Sequence, residues 1–321
     1  MRAIRVHAFG GPEELRLEEV ADLRLPAAGE VLVRVHAAGV NPFETYVRTG
    51  QYAMLPALPY TPGLDGAGVV EAVGDPMSPL LPGARVYTSG SLTGTYAELA
   101  LCPVAHVHAL PAAVGFAEGA AVGVPYATAY HALFDRGGLR AGELVLVQGA
   151  SGGVGIAAVQ LAVAAGAEVH GTAGSDAGLR LAAAQGARVV VDHRTPGHAD
   201  ELRAATGDRG YDLIIEMAAH AALPADLALL AARGRVIVVG SRGPVEINPR
   251  ELMSRNADLR GLMLWSLTTD DLTPIHAALV DGLAAGRLRP VVGRELPLAE
   301  AAEAHRAIVA GPATGKIVLV V

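Results

Sequence analysis

Between residues 142 and 264 the chain repeats one pattern: a short apolar run, a glycine-bearing turn, then a longer stretch rich in alanine and leucine. The runs are LVLV (144–147), EVHGT (168–172), RVVV (188–191), DLIIE (212–216), RVIVVG (235–240) and LRGLML (259–264). Their hydrophobicity is continuous rather than alternating, which marks strands covered on both faces, as in a parallel sheet with helical crossovers. Gly166, Gly186 and Gly207 each close an intervening stretch, the place where a left-handed helix cap favours glycine. The pattern predicts six strands in a doubly wound α/β sheet.

Residues 1–122 follow another rule. Segments such as VLVRVHA (31–37) and GVVEAVG (68–74) alternate apolar and polar positions between turns rich in proline and glycine, which predicts a β-rich domain. After the sixth run, a helical stretch (271–285) leads to a final strand, KIVLVV (316–321), placed to rejoin that first domain. The expected organisation is 1–122, 123–264 and 265–321, the last returning to the first. A length of 321 residues agrees with two domains, since single cores stop growing near ~250–300 residues.

Composition narrows the function classes. A net charge of −7 without clustered Lys and Arg argues against a nucleic-acid surface. No apolar stretch reaches the ~18 residues of a membrane span, and the N-terminal MRAIRVHAFG lacks a secretory pattern, so a cytosolic protein is expected. The single cysteine, Cys102 in LALCPVA, permits neither an intramolecular disulfide nor a Cys-rich zinc site, and reads as a core residue.

The chemistry centres on GASGGVG (149–155), between the first apolar run and a helical stretch. Unpaired N–H groups at a helix N-terminus, together with the helix dipole, make a site for a diphosphate, and glycines let the backbone approach it. Ser151 is read as helix cap or phosphate contact. Gly152, Gly153 and Gly155, with Val154 between them, supply the turn, the approach and the packing of helix on strand. At the end of the second strand, where an acidic residue would bind the ribose of NAD, stand Gly174 and Ser175. Arg180, His193 and Arg194 are candidate partners of a 2′-phosphate, which favours NADPH. Asp176 is either a helix N-cap or a ribose ligand.

The stretches AGVNPFETYVRTGQY, LPYTPGLDGAGVVEAVGD, GVPYATAYHAL, GASGGVG, GTAG, RVIVVGSRGPVEINPR and ATGK together resemble the medium-chain dehydrogenase/reductase superfamily, and within it the zinc-independent quinone reductases of the zeta-crystallin type. The resemblance implies a GroES-like domain and a Rossmann domain, joined as a homodimer or homotetramer through sheet edges. Where zinc alcohol dehydrogenases of this superfamily carry a cysteine and a histidine ligand, this sequence has Asn41 and Leu64, so no metal is expected. Without a Lewis acid, the suited substrate is an electron-poor quinone, or alternatively an enone or enoyl thioester. A non-enzymatic NADPH-binding role, structural or RNA-binding, is the other alternative.

The resemblance also implies roles. Asn41, Tyr46 and Tyr52 lie in the segment beside the nicotinamide and are candidates for the substrate oxygen, with a turn residue and core tyrosines as the plain alternatives. Tyr46 and Thr128 are implied to touch the cofactor. So are Val239, Gly240, Ser241 and Arg242 after the fifth strand, and Leu262, Met263 and Leu264 at the sixth. Lys316 in ATGK is expected near the diphosphate or in solvent.

Overall fold

The six apolar runs become six strands, Leu144–Val147, Glu168–Ala173, Val189–Asp192, Tyr211–Glu216, Leu230–Val238 and Asp258–Gly261, in a computed structural model that describes residues 1–75 and 79–321. Every pairing among them is parallel. In space the third strand is followed by the second, first, fourth, fifth and sixth. The order therefore reverses between the first and fourth strands, and at such a point an open α/β sheet forms a crevice outside its carboxyl edge. Continuous burial explains the continuous hydrophobicity: Leu146, Ile214, Val236 and Val191 pack with Leu202, Leu223 and Leu227 in one core.

Gly166, Gly186 and Gly207 have φ of +82°, +111° and +60°, as left-handed caps require. The sixth strand is shorter than expected, ending at Gly261 rather than 264. Its last partner is Val238, where the fifth strand ends, so the ladder has nothing further to pair with. Leu262 keeps one bond, N–H to the Val238 carbonyl (3.3 Å), and Leu264–Ser266 turns away as a 3₁₀ helix.

This sheet belongs to one of two compact units, Pro125–Ile275 with Pro312–Thr314; the other comprises Met1–Val124, His276–Gly311 and Gly315–Val321. The latter is built on a largely antiparallel sheet around the strand Glu30–Val40. Val31, Val33 and Val35 of that strand face a core with Val70, Val86, Tyr96, Ala100 and Leu319, as their alternation predicts. Cys102 is fully buried there, and burial pushes its thiol up to about 12. The final strand, Lys316–Val320, pairs antiparallel with Glu30–Val40, Ile317 opposite Val40. This strand lies in the first unit, to which the chain comes back at His276 rather than at 265.

Candidate functional site

Because the six strands run parallel, their following loops emerge at one edge. Residues 149–155, 174–175, 193–194, 239–242 and 262–264 each follow a strand of that sheet, so the structure brings these segments to its carboxyl edge. Within the glycine loop, Gly149 has φ +66°. Gly152 is the N-cap of the helix Gly153–Ala164 and no side chain caps it, which leaves the helix start open to an anion. A Cβ at Gly155 would lie 2.2 Å from the Gly149 carbonyl oxygen, so only glycine lets the helix sit this close.

Of the two readings of Ser151, the cap is overturned. The residue is buried and donates its hydroxyl to the Ala313 carbonyl (2.6 Å). The helix starting one residue later hands the cap to Gly152. The cap reading of Asp176 is overturned as well. Ser175 is the N-cap of the helix Asp176–Ala184, accepting the Gly178 N–H (3.1 Å), and Asp176 is left exposed in its first turn.

Around the proposed 2′-phosphate position, Arg180 is exposed. His193 lies over Gly174, where a Cβ would come within 2.8 Å of its Nε2. Burial, the largest influence on it, pushes the imidazole pKa down. Arg194 is already engaged, its guanidinium forked on Asp192 at 3.1 and 2.8 Å. At the fifth strand, the Val239 and Gly240 N–H groups donate to the Glu216 carbonyl (2.8 and 3.3 Å). Ser241 donates to the Gly243 carbonyl (2.8 Å), and the Arg242 N–H donates to His220 (3.1 Å). Met263 is exposed, while Leu262 and Leu264 are half-buried. Thr128 is buried in the helix Gly123–Tyr130.

In the first unit the strand Asp65–Val73 and the helix Pro42–Arg48 set a buried polar cluster. Asp65, fully buried, accepts from Asn41 Nδ2 (2.9 Å) and Lys316 Nζ (3.0 Å) on Oδ2 and from the Val124 N–H (2.7 Å) on Oδ1. Lys316 also donates to Asn41 Oδ1. The expectation that Lys316 approaches a diphosphate or solvent is thus corrected: it is buried, and its charge is compensated by Asp65. Asn41 is the helix N-cap position, its own N–H donating to Glu44 Oε2 (2.9 Å).

Glu44 continues the cluster. It accepts the Tyr96 hydroxyl (2.7 Å), leaving its other oxygen buried without a partner. Burial pushes its carboxyl up to about 7, against the lowering by Tyr96, the Asn41 N–H and Lys316. Tyr96 meets His305 Nε2 (3.3 Å), and Arg48 Nε donates to His305 Nδ1 (3.3 Å). With Tyr96 donating to Glu44 and Arg48 donating to Nδ1, His305 must carry its proton on Nε2. Burial, then the Arg48 charge, pushes His305 down to about 3, in keeping with a neutral ring.

Tyr46 and Tyr52 are half-buried, and Tyr52 packs on Phe43 with ring centroids 5.8 Å apart. A cavity of about 710 Å³ in this unit is lined by Phe43, Glu44, Val47, Tyr60, Leu64 and Leu92 among others, but not by Asn41, Tyr46 or Tyr52. It is distinct from the predicted substrate residues.

A metal does not fit the Asn41–Leu64–Asp65 place. Both oxygens of Asp65 are taken, one by an ammonium, and neither an engaged amide nor an isobutyl group is a zinc ligand. Among the described residues no group of three or more His, Cys, Asp and Glu is arranged to hold a metal ion. The sequence reading did not anticipate the roles of Glu44, Asp65 with Lys316, Tyr96 or His305. One signal was present: the spacing of Asn41 and Glu44 is that of a capping box, which draws the carboxyl back to the helix start.

Residues 27–112 match the alcohol dehydrogenase GroES-like domain family, and residues 153–280 match the zinc-binding dehydrogenase family. The quinone oxidoreductase of Homo sapiens is 49% identical over 99% of this chain and 97% of its own length. Among solved structures, an NAD-dependent alcohol dehydrogenase aligns with TM-score 0.91 at 33% identity, covering all of both chains. The Escherichia coli quinone oxidoreductase complexed with NADPH aligns with TM-score 0.90 at 28% identity, again covering both chains in full.

Proposed function

Because the chain belongs to the quinone oxidoreductase family of alcohol dehydrogenase-like proteins, we propose that it is a cytoplasmic NADPH-dependent quinone oxidoreductase that works without a metal. The observation that carries the cofactor part is the common carboxyl edge, where all five candidate loops follow parallel strands around a glycine-opened helix start. Gly152, Gly153, Val154 and Gly155 would hold the diphosphate, Gly174 and Ser175 the adenosine ribose, and Arg180 and His193 the 2′-phosphate. Arg194 would join them by releasing Asp192. Thr128, residues 239–242 and residues 262–264 would line the remainder. Bound NADPH supplies the hydride, and the protein supplies position, exclusion of water and hydrogen bonds.

The residues of the first unit then act on the quinone. Asn41 has its amide committed at both ends, to Asp65 and from Lys316, so it serves as a fixed wall rather than a mobile donor. Tyr46 and Tyr52 carry the donor role: a phenol hydroxyl donates to the oxygen that gains charge without itself bearing charge. A quinone needs no stronger electrophilic help than this.

The Asp258–Gly261 strand lies at an edge of the parallel sheet, and we place the seam of a homodimer or homotetramer there. Light scattering on the purified protein tests the assembly. Turnover of NADPH with a panel of ortho- and para-quinones, simple enones and enoyl thioesters tests the activity. Turnover confined to the thioesters would reassign the substrate, and NADPH binding without turnover would reduce the protein to a binding role.

A further inference from the structure

Two carboxylic side chains in the second unit, Glu216 and Asp226, are both 0% exposed. Glu216 stands at the end of the fourth strand, and Asp226 in the helix Ala219–Leu229. Glu216 Oε1 accepts the Ala218 N–H, and Asp226 Oδ1 accepts Gln148 Nε2 (2.6 Å). The remaining oxygens, Glu216 Oε2 and Asp226 Oδ2, are buried without a donor, and the Gln148 that binds Asp226 is held by its own N–H on the Ile215 carbonyl (3.0 Å), next to Glu216.

We propose that Glu216 and Asp226 share one proton between Oε2 and Oδ2, and that this pair is the positioning device for two of the loops to which the proposed dinucleotide site is assigned. The direction of each hydrogen bond leaves little choice. The Gly149 N–H donates to Thr172 Oγ1 (3.1 Å), so the Thr172 hydroxyl donates onward to Gln148 Oε1 (2.7 Å). The Gln148 amide therefore presents its NH₂ to Asp226, and Asp226 Oδ1 must accept. Glu216 Oε1 must accept as well. A proton held by the pair supplies the donor that these two buried oxygens otherwise lack.

The pair thus reaches the glycine loop through Gln148, Thr172 and Gly149. It reaches the 239–242 segment through Glu216 itself, whose backbone carbonyl takes the Val239 and Gly240 N–H groups. Titratable groups acting on it are few. The two carboxyls act on each other, and His193, after the third strand, feels Glu216. Gln148 and Thr172 are neutral. The neighbouring helices His198–Ala205 and Pro249–Arg255 and the fifth strand pack against this helix with Leu202, Leu252 and Val236. Burial, then Glu216, holds Asp226 well above the usual carboxylate range.

The test needs no cofactor in its first two arms. The infrared difference between wild type and Asp226→Asn should show the C=O stretch of a protonated carboxylic acid, present only in the wild type. A native proton that the unfolded chain has released makes stability fall as pH rises, by about tenfold per pH unit in the unfolding equilibrium. Asp226→Asn, whose amide donates permanently to Glu216, should lose this one-proton contribution to the slope and keep the contribution of Glu44. In the third arm, Asp226→Leu, which abandons Gln148, should weaken NADPH binding by roughly tenfold to a hundredfold, and Asp226→Asn should restore it. Absence of the carboxylic-acid band together with an unchanged pH slope would overturn the shared proton. Equal NADPH affinity in the leucine variant and the wild type would overturn the positioning role. A wild type that binds no NADPH would instead defeat the cofactor reading, while the first two arms still decide the proton.

Discussion

Lys316 and Asp65 are separated by 251 residues in sequence and by 3.0 Å in space, both of them buried. Their contact ties the returning C-terminal strand to the strand that begins at Asp65, with Asn41 bridging the two. Asp65 adjoins Leu64, one of the two positions set against the zinc ligands of the superfamily in the sequence.

Removing one partner leaves the other as an unpaired buried charge, which typically costs about 3–5 kcal/mol. Lys316→Met should therefore lower unfolding stability on that scale in a denaturant titration. Adding Asp65→Asn should recover part of the loss, the signature of a coupled pair. A Lys316→Met protein with unchanged stability and weakened NADPH binding would return Lys316 to the diphosphate.

Glu44 gives a pH signature. Its native pKa of about 7 lies above the ordinary carboxylate value near ~4.3, so the folded state holds a proton that the unfolded chain has released. Stability from this group is complete below the unfolded value and falls as pH rises toward about 7, then levels off. Glu44→Gln should flatten that decline in thermal unfolding followed from acid to neutral pH. An identical decline in the variant would remove Glu44 as its source.

The alternation along 31–37 and the continuous runs from 144 onward disclosed the fold because burial on one face or two writes directly into residue order. Side-chain partners did not disclose themselves in that way. Ser175 and Asp176 are both good caps in adjacent positions, and only the helix register chose between them. The sixth run stayed apolar to Leu264, whereas the strand stopped where its neighbour stopped. Asp65 with Lys316, and Glu216 with Asp226, are pairings across tertiary distance, and no local pattern announces them.

Dinucleotide choice should rest chiefly on Arg180. Arg194 must give up its fork on Asp192 to reach a phosphate, and His193 is held toward neutrality by burial. Arg180→Ala should weaken NADPH by roughly tenfold to a hundredfold while sparing NADH, and Arg194→Ala should do less. Isothermal titration with both cofactors measures this. Equal wild-type affinities for NADH and NADPH would shift the ribose contact to the exposed Asp176.

Tyr46→Phe or Tyr52→Phe deletes one hydroxyl and keeps the ring. If that hydroxyl donates to the quinone oxygen in the transition state, kcat should fall by roughly tenfold to a thousandfold, as for other lost oxyanion donors. A rise in KM alone would make the ring a wall. Unchanged kcat and kcat/KM in both variants, with chemistry rate-limiting, would leave positioning as the whole contribution.

Quinone-dependent oxidation of NADPH by protein freed of divalent metal with a chelator tests the central claim most directly. The account predicts turnover with chelator equal to turnover without it, and no stoichiometric zinc in the active protein by elemental analysis. Activity that disappears with a bound zinc and returns when zinc is restored would contradict it.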